Sequence, residues 1–231
     1  MTLIFDIGFN RGEFASVCAK QFPGCRIIGV EANKHLYYDA PSIEGLTVLN
    51  RLVSDEGGTQ VEFFIEYAQD GISTASKDFM EYSRFSKGSK YLAPHSGRWL
   101  SAGPVPTITL DEMIVEYGIP NITKIDVEGY EYEVLTGLTK KIEKICFECH
   151  EEEKDKLHKI IVHLKRLGYL NFGFIGVFEE GDIFEKLTFS DKGDPYLVEP
   201  DEYYSWATLE EDMDICFKPD RRINYGMVWC R

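Results

Sequence analysis

The chain has 231 residues, of which 44% are hydrophobic, and carries a net charge of −14 from 39 acidic and 25 basic side chains. This length and composition predict one sizeable α/β domain around a single core. The negative charge disfavours a nucleic-acid partner, because it repels phosphate backbones. No apolar run approaches the roughly 20 residues of a membrane span, and no basic segment precedes an apolar one as in a secretory signal. We therefore expect neither a membrane nor a nucleic acid among the partners.

Six cysteines lie scattered in apolar contexts, at positions 18, 25, 146, 149, 216 and 230. Cys146 and Cys149 have the C-x-x-C spacing, but a redox pair usually opens a helix, whereas this pair lies in a strand-like run. No second pair is present to complete a zinc site. The pattern predicts structural thiols in a reducing compartment, which is a cytoplasmic, intracellular location.

The first part of the chain alternates short apolar runs with helical patterns. The helix that follows the first strand is ended by Pro23 and Gly24. The link 32–45 has room for a helical turn, and 54–58 has the composition of a turn. The predicted strands of this part are 3–6, 26–31, 46–53 and 61–66. The last of them is predicted to be a hairpin partner outside the simple alternation.

Residues 67–106 interrupt this alternation. They are rich in serine, glycine and lysine with interspersed aromatic rings, and they end in a Gly-Pro-Val-Pro run at 103–106. The segment is too long for an ordinary connection between elements. We interpret it as an insertion on the acceptor side of a site, either a lid or a disordered loop.

The remainder of the chain returns to alternating strands and helices. A helix over 109–117 has Thr109 as its predicted N-cap and a glycine after its end. Further helices are predicted from Gly129 onward and over 151–167, the latter with acids in its first turn and bases in its last. The predicted strands of this part are 122–127, 144–149, 169–178 and 224–230. A second acidic and aromatic insertion is predicted at 179–222.

Alternating strands and helices, without repeats or linkers, predict a doubly wound, mostly parallel α/β sheet in a single domain over 1–231. The first predicted strand begins almost at Met1. We therefore expect either a minimal version of this fold or one domain of a larger protein.

The loop after the first strand has the pattern D-x-G-x-x-x-G at Asp6, Gly8 and Gly12. It lacks the G-x-G-x-x-G of dinucleotide-binding loops, which disfavours a nicotinamide oxidoreductase. An acid before the loop is unfavourable beside a diphosphate, but it suits a ligand with a positive charge and an amino-acid end. S-adenosylmethionine is such a ligand: Asp6 can face its ammonium, while loop N–H groups and Asn10 can face its carboxylate. The alternative is a tight turn without a ligand.

Glu31 ends the second predicted strand, about 20 residues after the glycine loop. Adjacent parallel strands end at the same edge of a sheet, so this carboxylate is placed to accept both hydroxyls of a ribose. The alternative is a solvated acid at a strand end. Together with the loop, Glu31 and the adjoining Ala32 predict an adenosine-type ligand, with Leu52 and Ser54 beside its adenine.

Acids and a histidine follow at the ends of the next two strands, as Asp126 and Glu128 and then as Glu148 and His150. One interpretation is that His150 is a general base, oriented by Glu148 or Asp126. Another is a magnesium or manganese site formed by Asp126, Glu148 and His150. The third is helix capping and dipole chemistry, because Glu128 and Glu131 begin a helix.

Six segments combine into one recognisable pattern: DIGFNRG (6–12), VEAN (30–33), NRLVSD (50–55), Thr109-Leu110-Asp111, KIDVEGYEYEVLTGL (124–138) and FECH (147–150). Together they resemble the FkbM family of S-adenosylmethionine-dependent methyltransferases. The resemblance spans residues 3–150, about two thirds of the chain. Its most specific part is KIDVEG followed by E-x-x-V-L-x-G.

The resemblance implies a Rossmann-like class I methyltransferase sheet of seven strands with an antiparallel last strand. It implies that the methionine end of the donor is held by Asp6, Gly8, Asn10 and Gly12. It further implies that Glu31 binds the ribose and that Asp126 lies near the transferred methyl group. The chain departs from the family in Phe9, where a small residue is usual, and in its enlarged final insertion.

The activity implied by the resemblance is methylation of a hydroxyl oxygen, on a sugar or glycan or another hydroxyl-bearing acceptor. The chain could then be one domain of a larger glycan-modifying protein. O-methylation of a small natural product and a non-catalytic donor-binding module are the alternatives. An amino-group methyltransferase of nucleic acids would normally carry D/N-P-P-Y/F after the fourth strand, where this chain has Asp126-Val-Glu-Gly.

Overall fold

The structure, a computed structural model, describes residues 1–67, 69–86, 98–178, 200, 203–210 and 223–231. The strands are β1 (Leu3–Ile7), β2 (Arg26–Val30), β3 (Leu46–Leu49), β4 (Leu52–Val53), β5 (Gln60–Glu66), β6 (Trp99–Ile108), β7 (Ile122–Ile125), β8 (Ile145–His150), β9 (Phe172–Phe178) and β10 (Ile223–Cys230). The α-helices are α1 (Glu13–Gln21), α2 (Lys34–Tyr38), α3 (Lys77–Tyr82), α4 (Leu110–Tyr117), α5 (Glu131–Thr136) and α6 (Lys154–Arg166). Short 3₁₀ turns cover Asp70–Ile72 and Glu151–Glu153, and 206–210 is helical.

Seven strands form the main sheet in the order β3-β2-β1-β7-β8-β10-β9. The pairs from β3 to β8 are all parallel, whereas β10 is antiparallel to both of its neighbours. The predicted doubly wound, mostly parallel seven-stranded sheet with an antiparallel last strand is therefore confirmed. The strand order reverses between β1 and β7, and open α/β sheets bind their ligands at such a switch point.

Apolar side chains cover both faces of this sheet. Because side chains alternate along β1, Phe5 and Ile7 belong to the cluster on one face and Ile4 to the cluster on the other. Burial on both faces explains why the central strands read as nearly continuous apolar runs.

Phe9, the residue that departs from the family pattern, belongs to the second of these clusters and is only 2% exposed. Gly12 and Gly29 leave room for its ring, since a Cβ atom at either position would lie 2.5 Å from a ring carbon. The large side chain therefore fills the core behind the loop and leaves the carboxyl edge of the sheet open.

The predicted strand 46–53 is in fact two strands that belong to different sheets. β3 ends at Leu49, and β4 pairs in parallel with β6 in a second sheet of order β4-β6-β5. β5 pairs antiparallel with β6, so the predicted strand at 61–66 does pair outside the main alternation.

β6 also corrects the interpretation of the end of 67–106 as a lid or a disordered loop, because a strand begins there at Trp99 and continues to Ile108. Pro104 and Pro106 obscure the strand in the sequence, because prolines usually mark turns. Thr107 donates its N–H to the Thr59 carbonyl on the β5 side, so alternation turns the two proline nitrogens away from β5. At those positions proline removes no hydrogen bond from the ladder.

The helix predicted from Thr109 is confirmed as α4, and Thr109 and Glu112 form a reciprocal capping box at its start. The predicted insertion at 179–222 lies outside the described residues except at 200 and 203–210. There Trp206 packs edge-on against Phe172, with ring centroids 5.6 Å apart. No helix in the described part of the chain is long and apolar enough to span a membrane.

Five of the six cysteines are buried, and Cys216 lies outside the described residues. Burial raises the pKa of the Cys18 thiol to about 12 and that of Cys149 well above its usual value. Thiols in such apolar surroundings are unreactive, which supports the prediction that Cys146 and Cys149 are structural.

Candidate active site

A cleft opens at the carboxyl ends of β1, β2 and β7, where the strand order reverses. It encloses about 580 Å³, including the space at its open mouth. Its walls are formed by the loop after β1, the end of β2, the β3–β4 link, the loop after β7 and residues of the 71–75 segment.

The loop after β1 lies directly against the end of β7. Gly8 has a φ of 75°, and a Cβ atom there would lie 1.7 Å from the Asp126 carbonyl oxygen. Gly8 and Asn10 line the cleft, as predicted for donor-binding residues. Gly12 is the N-cap of α1 and faces Phe9 instead. A direct contact between Gly12 and the donor therefore stays a prediction.

Glu31 lies on the cleft wall with its carboxylate held by two backbone groups. The Asn10 N–H donates to Oε2 and the Asn33 N–H to Oε1, both at 2.7 Å. The Asn50 amide fixes the same turn by donating to the Glu31 carbonyl at 2.8 Å. Each carboxylate oxygen keeps a second lone pair, so an oriented pair of acceptors is available to two ribose hydroxyls.

Burial raises the pKa of Glu31 from 4.5 to about 7. The N–H donors of Asn33 and Asn10 and the charge of Lys124 act in the opposite direction but do not cancel the desolvation. The carboxyl group therefore changes its charge near neutral pH.

A buried lysine, which the motif analysis did not single out, joins the three elements that meet at the cleft. The Lys124 ammonium lies 3.3 Å from Asp6 Oδ1 and 3.4 Å from Asp126 Oδ2, and it donates to the Gly8 carbonyl at 2.7 Å. Burial alone would lower the pKa of Lys124, but Asp126 and Asp6 outweigh it and hold the pKa above its usual value. A lysine inside a largely apolar strand, two residues before Asp126, was the signal in the sequence.

Asp6, which is predicted to face the ammonium of the donor, is not among the residues that line the cleft. Its side chain is 0% exposed, and its carboxylate faces Lys124 behind the cleft wall. A direct contact between Asp6 and the ammonium of a donor therefore stays a prediction. Asp126, by contrast, lines the cleft as predicted.

The residues predicted near the adenine divide into two groups. Ala32 and Leu52 line the cleft, together with Arg51, which sequence reasoning missed. Ser54 is buried behind the wall, where its hydroxyl lies 3.2 Å from the hydroxyl of Tyr130. Tyr130 lines the cleft, so Ser54 can act on a ligand only by positioning that ring.

The predicted pair at the end of β8 is brought together, but it lies behind the cleft wall. His150 is 3% exposed, and its Nε2 lies 3.0 Å from Glu148 Oε2 and 3.8 Å from Glu128 Oε2. Its ring packs edge-on against Phe79 with centroids 5.4 Å apart. Of these residues Glu128 lines the cleft. The predicted role of His150 as a base stays a prediction. Glu128 is the member of this group that is placed to contact a substrate directly.

Burial raises the pKa of both Glu128 and Glu148 well above the usual carboxyl value. The charge of Glu148 raises that of Glu128 further, and Asp126 raises both, whereas His150 lowers that of Glu128. The site therefore concentrates carboxyl groups that bind a proton more readily than surface acids do.

The predicted cation ligands Asp126, Glu148 and His150 do not converge on one point. The Lys124 ammonium occupies the position beside Asp126, which a metal ion would not tolerate. The group that does converge is Glu128, Glu148 and His150, whose ligand atoms lie within 4.8 Å of one another. His150 and Glu148 already form a hydrogen bond, and we interpret the group as a hydrogen-bonded acid–histidine cluster. A divalent cation remains a prediction that this geometry does not favour.

One described part of the first insertion, 69–86, packs against this cluster. The Thr74 hydroxyl donates to the Glu128 carbonyl at 2.6 Å, and Phe79 of α3 covers His150. Residues 71, 73 and 75 line the cleft. This part of the insertion therefore has the position of a lid.

Two side chains of the α6 region hold that segment in place. Arg84 makes a bidentate ion pair with Glu152, with the shorter contact at 2.6 Å, which lowers the pKa of the Glu152 carboxyl despite its partial burial. The Lys156 ammonium donates to the Gly129 carbonyl at 2.9 Å and to the Ser76 hydroxyl at 3.3 Å. The lid position is thus fixed by charged contacts that the motif analysis did not reveal.

Several solved methyltransferase structures are similar to the chain. The precorrin-6y C5,15-methyltransferase of Geobacter metallireducens GS-15 is 10% identical, with a TM-score of 0.44 over 100% of this chain and 78% of that one. The plantazolicin methyltransferase BpumL in complex with SAH is 10% identical, with a TM-score of 0.41; the match covers 100% of this chain and 76% of that one. A SAM-dependent methyltransferase from Archaeoglobus fulgidus is 14% identical, with a TM-score of 0.41; the match covers 100% of this chain and 86% of that one. TM-scores below 0.5 are too low for any of these similarities to support a conclusion about this chain.

The sequence itself gives the decisive match. No protein of curated function matches the chain, but the family profile described as the methyltransferase FkbM domain matches residues 6–170. This range covers well over half of the 231 residues and contains the glycine loop, Glu31, the β7 motif and the acid–histidine cluster. The chain therefore belongs to the FkbM family of S-adenosylmethionine-dependent methyltransferases.

Proposed function

We propose that this methyltransferase transfers the methyl group of S-adenosylmethionine to a hydroxyl oxygen of a sugar or glycan. The observation that carries the proposal is the pair of carboxylates, Asp126 and Glu128, on the cleft wall. Ionised carboxylates only accept hydrogen bonds, so such a wall suits an acceptor that presents several hydroxyl donors. The donor is already activated as a sulfonium, and the protein has to align the acceptor and remove its proton.

The donor is proposed to lie with its ribose on Glu31 and its methionine end along the loop of Gly8 and Asn10. Gly8 and Asn10 both line the cleft, so the loop is placed to contact the methionine end. This placement directs the sulfonium towards Asp126 and Glu128. A module that only bound the donor would have no need of the cluster behind Glu128.

The pKa of Glu31 predicts that donor affinity rises with pH. Ribose hydroxyls donate to the ionised carboxylate, whereas the free protein holds this group with a pKa of about 7. Binding therefore releases a proton, and below that pKa the affinity should fall by up to about tenfold per pH unit. Titration calorimetry with S-adenosylhomocysteine at about pH 6 and about pH 8 measures the change in affinity. Repeating it in buffers of different ionisation enthalpy gives the number of protons released.

Glu31→Gln is the control for this prediction. The amide keeps the shape of the side chain but does not titrate, so binding should weaken and its pH dependence should vanish. A pH dependence that persists in this variant would place the titrating group elsewhere.

The proposed reaction is tested by incubating the protein with S-adenosylmethionine carrying a ¹³C-labelled methyl group and a panel of glycans and nucleotide sugars. We expect one added methyl group, with the carbon shift of a methyl ether. Matched sugars that lack one hydroxyl identify the position. A methylamine product, or transfer only to acceptors that are not sugars, would contradict the proposal.

A further inference from the structure

We propose that Glu128 is the general base of the reaction and accepts the proton of the acceptor hydroxyl. The proposal rests on the O-methylation proposed above and assigns its proton-transfer step to a residue other than His150. Glu128 lies at the tip of β7, in the glycine-containing loop that leads into α5.

Only two carboxylates of the described structure lie on the wall at this end of the cleft, and they differ in their surroundings. Asp126 is held by the Lys124 ammonium at 3.4 Å and also shares a hydrogen bond with Glu148. Glu128 Oε2 is buried and has no hydrogen-bond partner among the described residues. The Glu128 side chain is 14% exposed and lines the cleft, so its carboxylate can accept from an acceptor hydroxyl, whereas Asp126 is already engaged.

The backbone around Glu128 is built to hold this side chain in the cleft. Glu128 has a φ of 54°, a left-handed conformation that costs a non-glycine residue roughly 1–2 kcal/mol. Thr74 fixes its carbonyl at 2.6 Å, and Lys156 fixes the carbonyl of Gly129 at 2.9 Å. Two elements outside the loop thus maintain a conformation that local preference alone would not select.

His150 lies on the far side of Glu128 from the cleft. It is almost completely buried between Phe79 and the sheet, and its Nε2 is directed to Glu148 and Glu128. A proton leaving the acceptor therefore meets Glu128 first. His150 and Glu148 provide the polar support behind it.

The step balances without a further reactant. The acceptor oxygen forms a bond to the methyl carbon as the carbon–sulfur bond breaks, and the bonding pair moves to sulfur, which becomes a neutral thioether. The hydroxyl proton moves to the Glu128 carboxylate and is later lost to solvent. The products are the methyl ether, S-adenosylhomocysteine and one proton.

Sinefungin tests the position of Glu128 without a known acceptor. This analogue has an amine-bearing carbon in place of the sulfonium and its methyl, so its ammonium occupies the place from which the methyl is delivered. We expect the wild-type protein to prefer sinefungin over S-adenosylhomocysteine. Glu128→Gln should lower that preference by about tenfold or more, because an ion pair is lost, with the affinity for S-adenosylhomocysteine unchanged.

Glu133→Gln is the matched control, because Glu133 is a neighbouring acid on α5 and is not on the cleft wall. It should leave the preference unchanged, and thermal melting should show that all variants are folded. If Glu128→Gln kept the preference for sinefungin, the assignment of Glu128 as the base would be overturned. The same would follow if Asp126→Asn or His150→Gln lost the preference instead. Neither outcome would affect the proposed methyl transfer. Failure of the wild-type protein to bind either ligand would overturn the proposed function as well.

Discussion

Replacing Gly8 by alanine is expected to abolish donor binding and to lower the free energy of unfolding by about 3 kcal/mol or more. The added Cβ atom would lie 1.7 Å from the Asp126 carbonyl oxygen, a separation that only movement of the loop or of the β7 end can relieve. Either movement shifts Asn10 and Asp126, which both line the cleft. Urea denaturation and calorimetry with S-adenosylhomocysteine measure the two effects.

Gly24→Ala separates the clash from the backbone conformation. Gly24 has nearly the same φ, 77°, but the described structure has nothing within 4 Å of its Cβ position. The free energy of unfolding of this variant should fall by only roughly 1–2 kcal/mol, the cost of placing alanine in a left-handed backbone conformation. The variant should bind the donor normally. Wild-type donor affinity in Gly8→Ala would show that the contact between the loop and β7 does not shape the site.

Replacing Lys124 by methionine is expected to destabilise the protein by about 3–5 kcal/mol, the usual cost of leaving a buried charge without its partner. Asp6 is 0% exposed and has the Lys124 ammonium 3.3 Å away. Methionine preserves the length and apolar stem of the side chain, so the loss reports mainly on charge. Chemical denaturation of the two proteins gives the difference in free energy.

The double variant Asp6→Asn with Lys124→Met is the control for this second prediction. It removes the stranded carboxylate and should recover a large part of the stability lost in the single variant. A double variant as unstable as the single one would mean that Lys124 acts through its packing or through its hydrogen bond to Gly8.

The two variants probe one short segment, the KIDVEG motif from Lys124 to Gly129. Lys124 ties the tips of β1 and β7 together, and the Asp126 carbonyl sets how closely the glycine loop approaches. Glu128 presents its carboxylate to the cleft. A Cβ atom on Gly129 would lie 2.7 Å from the Phe79 ring, so the last glycine allows the lid segment to dock. Lys124, the Asp126 carbonyl and Gly129 thus shape this strand end, and Glu128 supplies its reactive group.

The features that the sequence predicted correctly depend on local patterns. Continuous apolar runs marked the buried parallel strands, and Thr109 with Glu112 marked the start of α4. Glycines and acids at strand ends marked the carboxyl edge of the sheet, where Glu31 and Asp126 do line a cleft. Each of these signals reflects the immediate chain neighbours of a residue.

The features that were missed depend on contacts between distant segments. The run 46–53 is apolar throughout, and only the pairing of β4 with β6 shows that it divides between two sheets. The ion pair of Asp6 with Lys124 was missed because the lysine lies 118 positions later. Alternation correctly placed Glu148 and His150 together, but it could not reveal that Phe79 covers the histidine.

A crystal structure with S-adenosylhomocysteine would show directly where the donor binds. We expect the ligand in the cleft at the β1–β7 switch point, with both ribose hydroxyls on the Glu31 carboxylate and the sulfur facing Asp126 and Glu128. A ligand bound elsewhere, or one in this cleft whose ribose makes no contact with Glu31, would contradict the account.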